Sequence, residues 1–330
     1  MLTTRAPLRV SLFGGGTDYP EYLAHNRGSV LGGTIDKHVY IQSLPLHAAA
    51  EQKIRFNYRI TESVQSVDDL QHPVLREAIK YLEYEEPLNI GTMSDLPGGT
   101  GLGSSSSFTV GILYHLLTRM GRDISLHDLV KRAIHLERNI LSEPVGVQDQ
   151  HHAVFGGFCR YEWFNGSVSI QPVNLSESRL KLLNESVILV YTGTTRSAST
   201  VLVDQQAKNK SGINNKYLDS MHTMTKKGLH IIEDEVDDNV ALQKLSQLLN
   251  ESWALKKNLS KRIASNEAEI IIKQLENIGV KGYKLLGAGN NGFVLAMASP
   301  SKINAVEDHF GVENCVRFKF VNHGVSSSTF

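Results

Sequence analysis

The sequence predicts a mixed α+β protein, and three observations carry that prediction. Short segments alternate or run apolar with strand character, such as Leu8–Phe13, Leu88–Met93 and Val187–Tyr191. Other segments carry helical stripes, above all Phe108, Val110, Ile112, Leu113, Leu116 and Leu117, and later Leu242, Leu245, Leu248, Leu249 and Trp253. Between one strand and one stripe lies Pro97-Gly98-Gly99-Thr100-Gly101-Leu102-Gly103-Ser104-Ser105-Ser106-Ser107, a stretch of glycine and serine that opens a helix.

A chain of 330 residues fits one large or two ordinary domains. Lys+Arg and Asp+Glu both total 34, so no net charge draws the chain to nucleic acid or to a membrane surface. Two cysteines, Cys159 and Cys315, make neither a disulfide framework nor a metal cluster. The N-terminus has no apolar signal core and no apolar run approaches a membrane span, so the expectation is a cytoplasmic protein.

Taken in order, Leu8–Phe13 reads as a strand that runs into Gly14-Gly15-Gly16-Thr17-Asp18-Tyr19-Pro20. Three glycines let backbone approach a ligand there, and Asp18 is a candidate for holding hydroxyl groups. A plain turn, with Asp18 capping Tyr19 to Ala24, fits the pattern equally. Residues 29–44 hold one or two strands, 54–60 a strand, 73–83 a short helix, and 88–93 the strand that delivers the chain to the glycine/serine loop.

That loop has the features of an anion site. Free backbone N–H groups and the positive end of the helix dipole converge, and the missing Cβ atoms let a phosphate come close. The serine hydroxyls add donors and an oxygen ligand for Mg²⁺. It is not a Walker A loop, since no lysine follows the glycines, and it lacks the setting of a dinucleotide fingerprint.

Beyond the loop helix, Ser125-Leu126-His127-Asp128 opens a second helix as a capping box, and Glu137 lies beside its apolar stripe. The adjacent His151 and His152 face different ways and read as structural. Phe158–Trp163 and Ser167–Val173 make a hairpin around Asn165-Gly166. A composition change then puts a domain boundary near residue 180. Three helical patterns fill residues 214–278. Strand, glycine-rich turn and strand follow over Tyr283–Leu295, then a helix at Ser301–Phe310 and a last strand at Val316–Val321.

Pro97 to Ser107 resembles, at every defined position, the phosphate loop of the GHMP kinases, the family of galactokinase, homoserine kinase and mevalonate kinase. The opening Pro7-Leu8-Arg9 strand with its glycine-rich turn is similar to the family's first motif, and Gly287-Ala288-Gly289 with Gly292 to its third. The resemblance implies a two-domain α/β sandwich, with an N-terminal ATP-binding domain over 1–180 and a ferredoxin-like C-terminal domain over 181–330. It implies ATP held by Pro97, Gly98, Gly99, Gly101, Leu102, Gly103, Ser104, Ser105 and Ser106, and Mg²⁺ on Ser105 and Glu137. Asp149, in Gln148-Asp149-Gln150, falls where the family has its base, and Arg9 where it keeps a cation near the moving phosphoryl group.

Within the family the chain is most similar to the bacterial kinases of D-glycero-D-manno-heptose 7-phosphate. The shared stretches are Gly14–Tyr19, Thr34–Lys37, Ser94–Pro97, Gln148–Gln150 and Tyr191–Ser197. That likeness implies phosphorylation of the anomeric C1 hydroxyl, with Gly15, Gly16, Thr17, Asp18, Lys37, Arg196 and Gly289 at the substrate. Arg196 is the first candidate for a substrate phosphate and Lys37 the second. The alternatives are a C1 kinase of a neutral sugar such as fucose, or a non-catalytic sensor of sugar and ATP on the same fold. The partner expected is a small sugar phosphate; the sequence fixes no oligomeric state.

Overall fold

The structure is a computed structural model in which residues 1–47, 49–193, 199–234 and 236–330 are described. Arg196 lies outside the described residues. The chain opens with β1 (Leu2–Phe13), a short α1 (Pro20–Leu23) and the long β2 (Gly28–Pro45). A hairpin of β3 (Ile54–Asn57) and β4 (Thr61–Val64) precedes α2 (Pro73–Leu82) and β5 (Leu88–Ser94). Three helices follow, α3 (Ser104–Arg119), α4 (Leu126–His135) and α5 (Gln148–Phe155), then the hairpin of β6 (Phe158–Phe164) and β7 (Ser167–Pro172).

The second half runs α6 (Glu177–Glu185), β8 (Val187–Tyr191), α7 (Ser199–Lys210), α8 (Asn215–Glu233), α9 (Asp238–Lys256) and α10 (Asn266–Ile278). It ends with β9 (Gly282–Leu285), β10 (Phe293–Met297), α11 (Pro300–Phe310), β11 (Cys315–Val316) and β12 (Ser326–Thr329). Among the described residues the strands make two sheets. Eight strands, β1–β7 and β12, form one; β11-β8-β10-β9, all antiparallel, form the other.

Two strands depart from the sequence expectation. Residues 54–60 do not continue as one strand, because the chain turns after Asn57, whose side-chain oxygen accepts the Thr61 hydroxyl at 3.0 Å. The last strand is not 316–321. Only Cys315–Val316 joins the second sheet, Phe320 makes a single bridge to Ile35, and the chain returns to pair β12 with β1. Val325-Ser326-Ser327-Ser328-Thr329 carries no apolar alternation, so main-chain pairing and not side-chain burial places it.

One hydrophobic core joins the two halves. Leu8, Val10 and Leu12 of β1 pack in it with Leu245 and Leu249 of α9, Leu189 of β8 and Leu295 of β10. The face of β1 between the halves is therefore fixed from both sides. Along β1, the pairing with β2 slips twice, between Pro7 and Arg9 and between Ser11 and Phe13. Such irregularities re-aim side chains, and they bracket the two residues, Arg9 and Ser11, that β1 contributes to the main cleft.

Candidate active site

A cleft opens where the end of β1, the loop before α3, the start of α5 and the turn between β9 and β10 meet. Gly103 precedes α3 in the left-handed region at φ +75°, and no side chain caps the helix. The first intrahelical bond is Ser107 N to Gly103 O at 2.9 Å, so the N–H groups of the first turn point out of the helix. Gly99, Gly101, Gly103, Ser104 and Ser105 line the cleft at this point.

The third glycine-rich turn pins that loop. Phe293 N donates to Thr100 O at 3.2 Å, and Gly101 lies so near Gly287 that a Cβ on Gly101 would stand 2.7 Å from the carbonyl carbon of Leu286. Gly101 also holds φ +86°, which side chains rarely adopt. The sequence spaces these two motifs almost 190 residues apart; in space they are one surface.

Arg9 and Asp149 meet beside the loop. Arg9 Nε donates to one Asp149 oxygen at 2.8 Å and Nη2 to the other at 2.9 Å, while Nη1 donates to Gly101 O at 2.7 Å. Asp149 sits in the first turn of α5, where the helix dipole favours a carboxylate. Arg9 is buried, whereas the Asp149 side chain keeps 25% of its surface. The pair thus presents a fixed carboxylate to the cleft.

Asp18 is buried and fully engaged. Gly16 N reaches one oxygen at 2.9 Å, Gln148 N the other at 3.2 Å, and Gln148 Nε2 donates at 3.0 Å. Burial pushes its carboxyl up, and Asp149 adds to that push, against the lowering by the Gly16 and Gln148 amides. Gly15, Gly16 and Gly289 line the cleft with it. Thr17 does not: its hydroxyl is spent on Gly14 O at 2.9 Å and Ser29 O at 2.8 Å, so it builds the turn. Lys37 is also outside the lining. Its ammonium stands 3.5 Å from Asp36 on β2.

Among the loop residues, Pro97, Gly98, Leu102 and Ser106 are not in the cleft wall. Leu102 is core, and its carbonyl accepts Arg9 N at 3.0 Å. The Pro97 carbonyl accepts the Thr100 hydroxyl at 2.8 Å, which closes the loop. The hydroxyl that meets Glu137 is that of Ser106, at 2.9 Å, and not that of Ser105, which faces outward. The turn of α3 sends Ser106 inward.

Glu137 reaches that place by an irregularity. The stripe of α4 ends at His135, and residues Leu136–Ile140 form a single π-helical turn that buries Glu137. Burial raises its carboxyl to about 7, against lowering bonds from Gln150, Thr109 and Ser106. One carboxyl oxygen accepts Ser106 and Gln150; the other, Oε1, is buried with no hydrogen-bond partner among the described residues. An acidic oxygen without a partner beside the phosphate loop fits a hard cation such as Mg²⁺, which takes one or two protein oxygens and keeps its waters.

Two cationic residues of the wall escaped sequence reasoning, Lys256 and Lys284. Lys256 follows Trp253 on the buried stripe of α9, a placement at which a charged residue is a signal. Lys284 lies within a four-residue strand that is buried throughout, without an alternating face to betray it. His151 and His152 are buried core residues, and burial holds both rings well below the usual histidine range, His151 near 4.

A glycine- and serine-rich loop locked to a second glycine-rich turn, a buried carboxyl with a free oxygen and an arginine-held aspartate are the parts that phosphoryl transfer needs. Residues 73–157 match the GHMP kinases N terminal domain. Over that segment the chain is similar to the GHMP kinases, and it is an ATP-dependent phosphotransferase. It is 29% identical over 344 residues to the D-glycero-alpha-D-manno-heptose 7-phosphate kinase of Campylobacter jejuni, covering 99% of this chain and 98% of that protein. It is 22% identical to the galactokinase of Thermotoga maritima over 99% of this chain and 98% of that one. Its fold matches a D-glycero-D-manno-heptose 1-phosphate kinase from Bacteroides thetaiotaomicron at a TM-score of 0.76, with 22% identity over 100% and 99% of the two chains. Among the described residues no helix is long and apolar enough to cross a membrane.

Proposed function

We propose that this kinase transfers the terminal phosphoryl group of ATP to the C1 hydroxyl of D-glycero-D-manno-heptose 7-phosphate. The observation that carries the reading is the Arg9–Asp149 pair, set directly against the phosphate loop: a Cβ on Gly103 would stand 3.3 Å from both Arg9 Cγ and Asp149 Cγ. Asp149 accepts the C1 hydroxyl proton as the oxygen attacks phosphorus. Arg9 holds that carboxylate in place and lays positive charge beside the transferring group. The free N–H groups at the start of α3 hold the phosphates, and Asp18 with Gly15 and Gly16 bounds the acceptor.

Glu137 and Ser106 would hold Mg²⁺. Bound there, the ion supplies charge neutralisation on the phosphate oxygens. The choice of a phosphorylated heptose rests on the likeness to the named heptose 7-phosphate kinase and on the stretch Tyr191–Ser197, in which Arg196 is the proposed partner of the 7-phosphate. In this reading residues 1–180 bring the ATP site and residues 181–330 the cover of the acceptor.

The test is ADP release with Mg-ATP over a panel of heptose 7-phosphate, mannose 6-phosphate, fucose and galactose, on the wild type and Arg196→Ala. Turnover confined to the phosphorylated sugars, with Arg196→Ala raising KM, supports the reading. Turnover of fucose or galactose that Arg196→Ala leaves alone moves the assignment to a free-sugar kinase.

A further inference from the structure

The floor of the cleft holds two ammonium groups that the reaction described above does not use. Lys284 Nζ donates to Ser11 O at 3.2 Å and to Leu12 O at 2.8 Å. Lys256 Nζ donates to Leu285 O at 3.0 Å and to Gly287 O. Both side chains are nearly inaccessible, at 2% and 5% exposure, yet both belong to the cleft wall. A lysine ammonium has three donors, so each keeps one N–H after its two carbonyls.

The charges do not balance. Asp149 is taken by Arg9, and Asp18 by three N–H donors of neutral groups. No carboxylate bonds either lysine among the described residues; their partners there are backbone carbonyls alone. Burying one cation without a counter-charge is costly, and burying two within reach of each other more so. Burial lowers the Lys284 ammonium to about 7, with Arg9 pushing the same way. Burial also lowers Lys256, with Lys284 and Arg9 adding to it and Asp18 opposing. A dianion between them would remove that cost.

We infer that Lys256 and Lys284 form a phosphate subsite on the floor of the cleft, each giving its third N–H to one phosphate group. A further polar group of the wall, the Ser11 hydroxyl, is buried without a partner among the described residues and can donate to a phosphate oxygen. The phosphate has two sources in this reaction, the terminal group of ATP and the acceptor's own ester. The inference rests on the cleft being a phosphoryl-transfer site, and not on which sugar it serves.

Inorganic phosphate is the probe, titrated by calorimetry into the ADP-saturated enzyme. Lys256→Met weakens it about 10- to 100-fold, the range of a charge-assisted bond, and leaves the ADP Kd within twofold. The source separates by binding. If the group is ATP's, Lys256→Met narrows the gap between ATP and ADP affinity. If it is the acceptor's, that gap stays, and mannose 6-phosphate binds at least tenfold more weakly while mannose does not change. Because both lysines also hold backbone, a variant that fails to fold is replaced by a wild-type measurement: acetic anhydride labels Lys256 and Lys284 more slowly once phosphate is bound. Equal phosphate affinity in wild type and variant, or labelling that phosphate does not slow, overturns the subsite. Neither readout needs turnover, so an enzyme inactive on heptose 7-phosphate still decides it.

Discussion

The guanidinium of Arg9 grips both oxygens of Asp149, at 2.8 and 2.9 Å, across 140 residues of chain. Such a planar two-point bond fixes direction as well as charge, which a lysine cannot do. The carboxylate proposed as the base is therefore oriented before any substrate arrives.

Asp149→Asn keeps the shape and loses the acceptor of the proton. Turnover should fall by roughly 10²–10⁴, with the ATP Kd unchanged. Stopped-flow ADP release with parallel nucleotide titration checks it, and a full-rate variant contradicts the role of Asp149 as base. Arg9→Lys should lower kcat while leaving that Kd within a few-fold, because the charge stays and the orientation goes.

Glu137 makes the apo protein pH-sensitive in a definite direction. Its carboxyl is raised from 4.5 to about 7, so between those values the folded chain holds a proton that the unfolded chain releases. Stability then falls as pH rises through that window, by on the order of 3 kcal/mol for this group. Glu137→Gln removes that share of the slope, and urea unfolding at pH 5 and pH 8 measures it. Mg²⁺ should stabilise the wild type more at pH 8 than at pH 5, and the variant at neither.

The serine that meets Glu137 is Ser106. Ser106→Ala should weaken Mg²⁺-dependent nucleotide binding by about tenfold, the weight of one hydrogen bond to a charged group. Ser105→Ala should weaken ATP and ADP similarly and without dependence on Mg²⁺. A reversed pattern would return the cation to Ser105.

Gly101→Ala places a methyl against the Leu286 backbone at a positive φ. It should cost more than about 1 kcal/mol of stability and unseat the phosphate loop from the third glycine-rich turn. Thermal unfolding and the ATP Kd together report it; an unchanged Kd means that the loop does not depend on that contact.

Much of this was legible in the residues. The phosphate loop announces itself because glycines and serines directly precede an apolar helix. The Arg9–Asp149 pair has no local signal, and only likeness to a family brings its two halves together. Glu137 lay beside a stripe by spacing, but a π-helical turn, which no helical period describes, carried it inward. Lys256 carried a signal in its place on the buried stripe of α9, but Lys284 looked ordinary because burial of a cation is decided by tertiary packing. The return of β12 to β1 was hidden too, since a serine-rich strand held by its backbone leaves no apolar pattern.

The most direct test of the proposed function is ³¹P NMR of the product made from heptose 7-phosphate and Mg-ATP. The account predicts a second phosphorus resonance coupled to the anomeric proton, absent with Asp149→Asn. Phosphate transferred to any other hydroxyl, or no product beside an active free-sugar reaction, contradicts it.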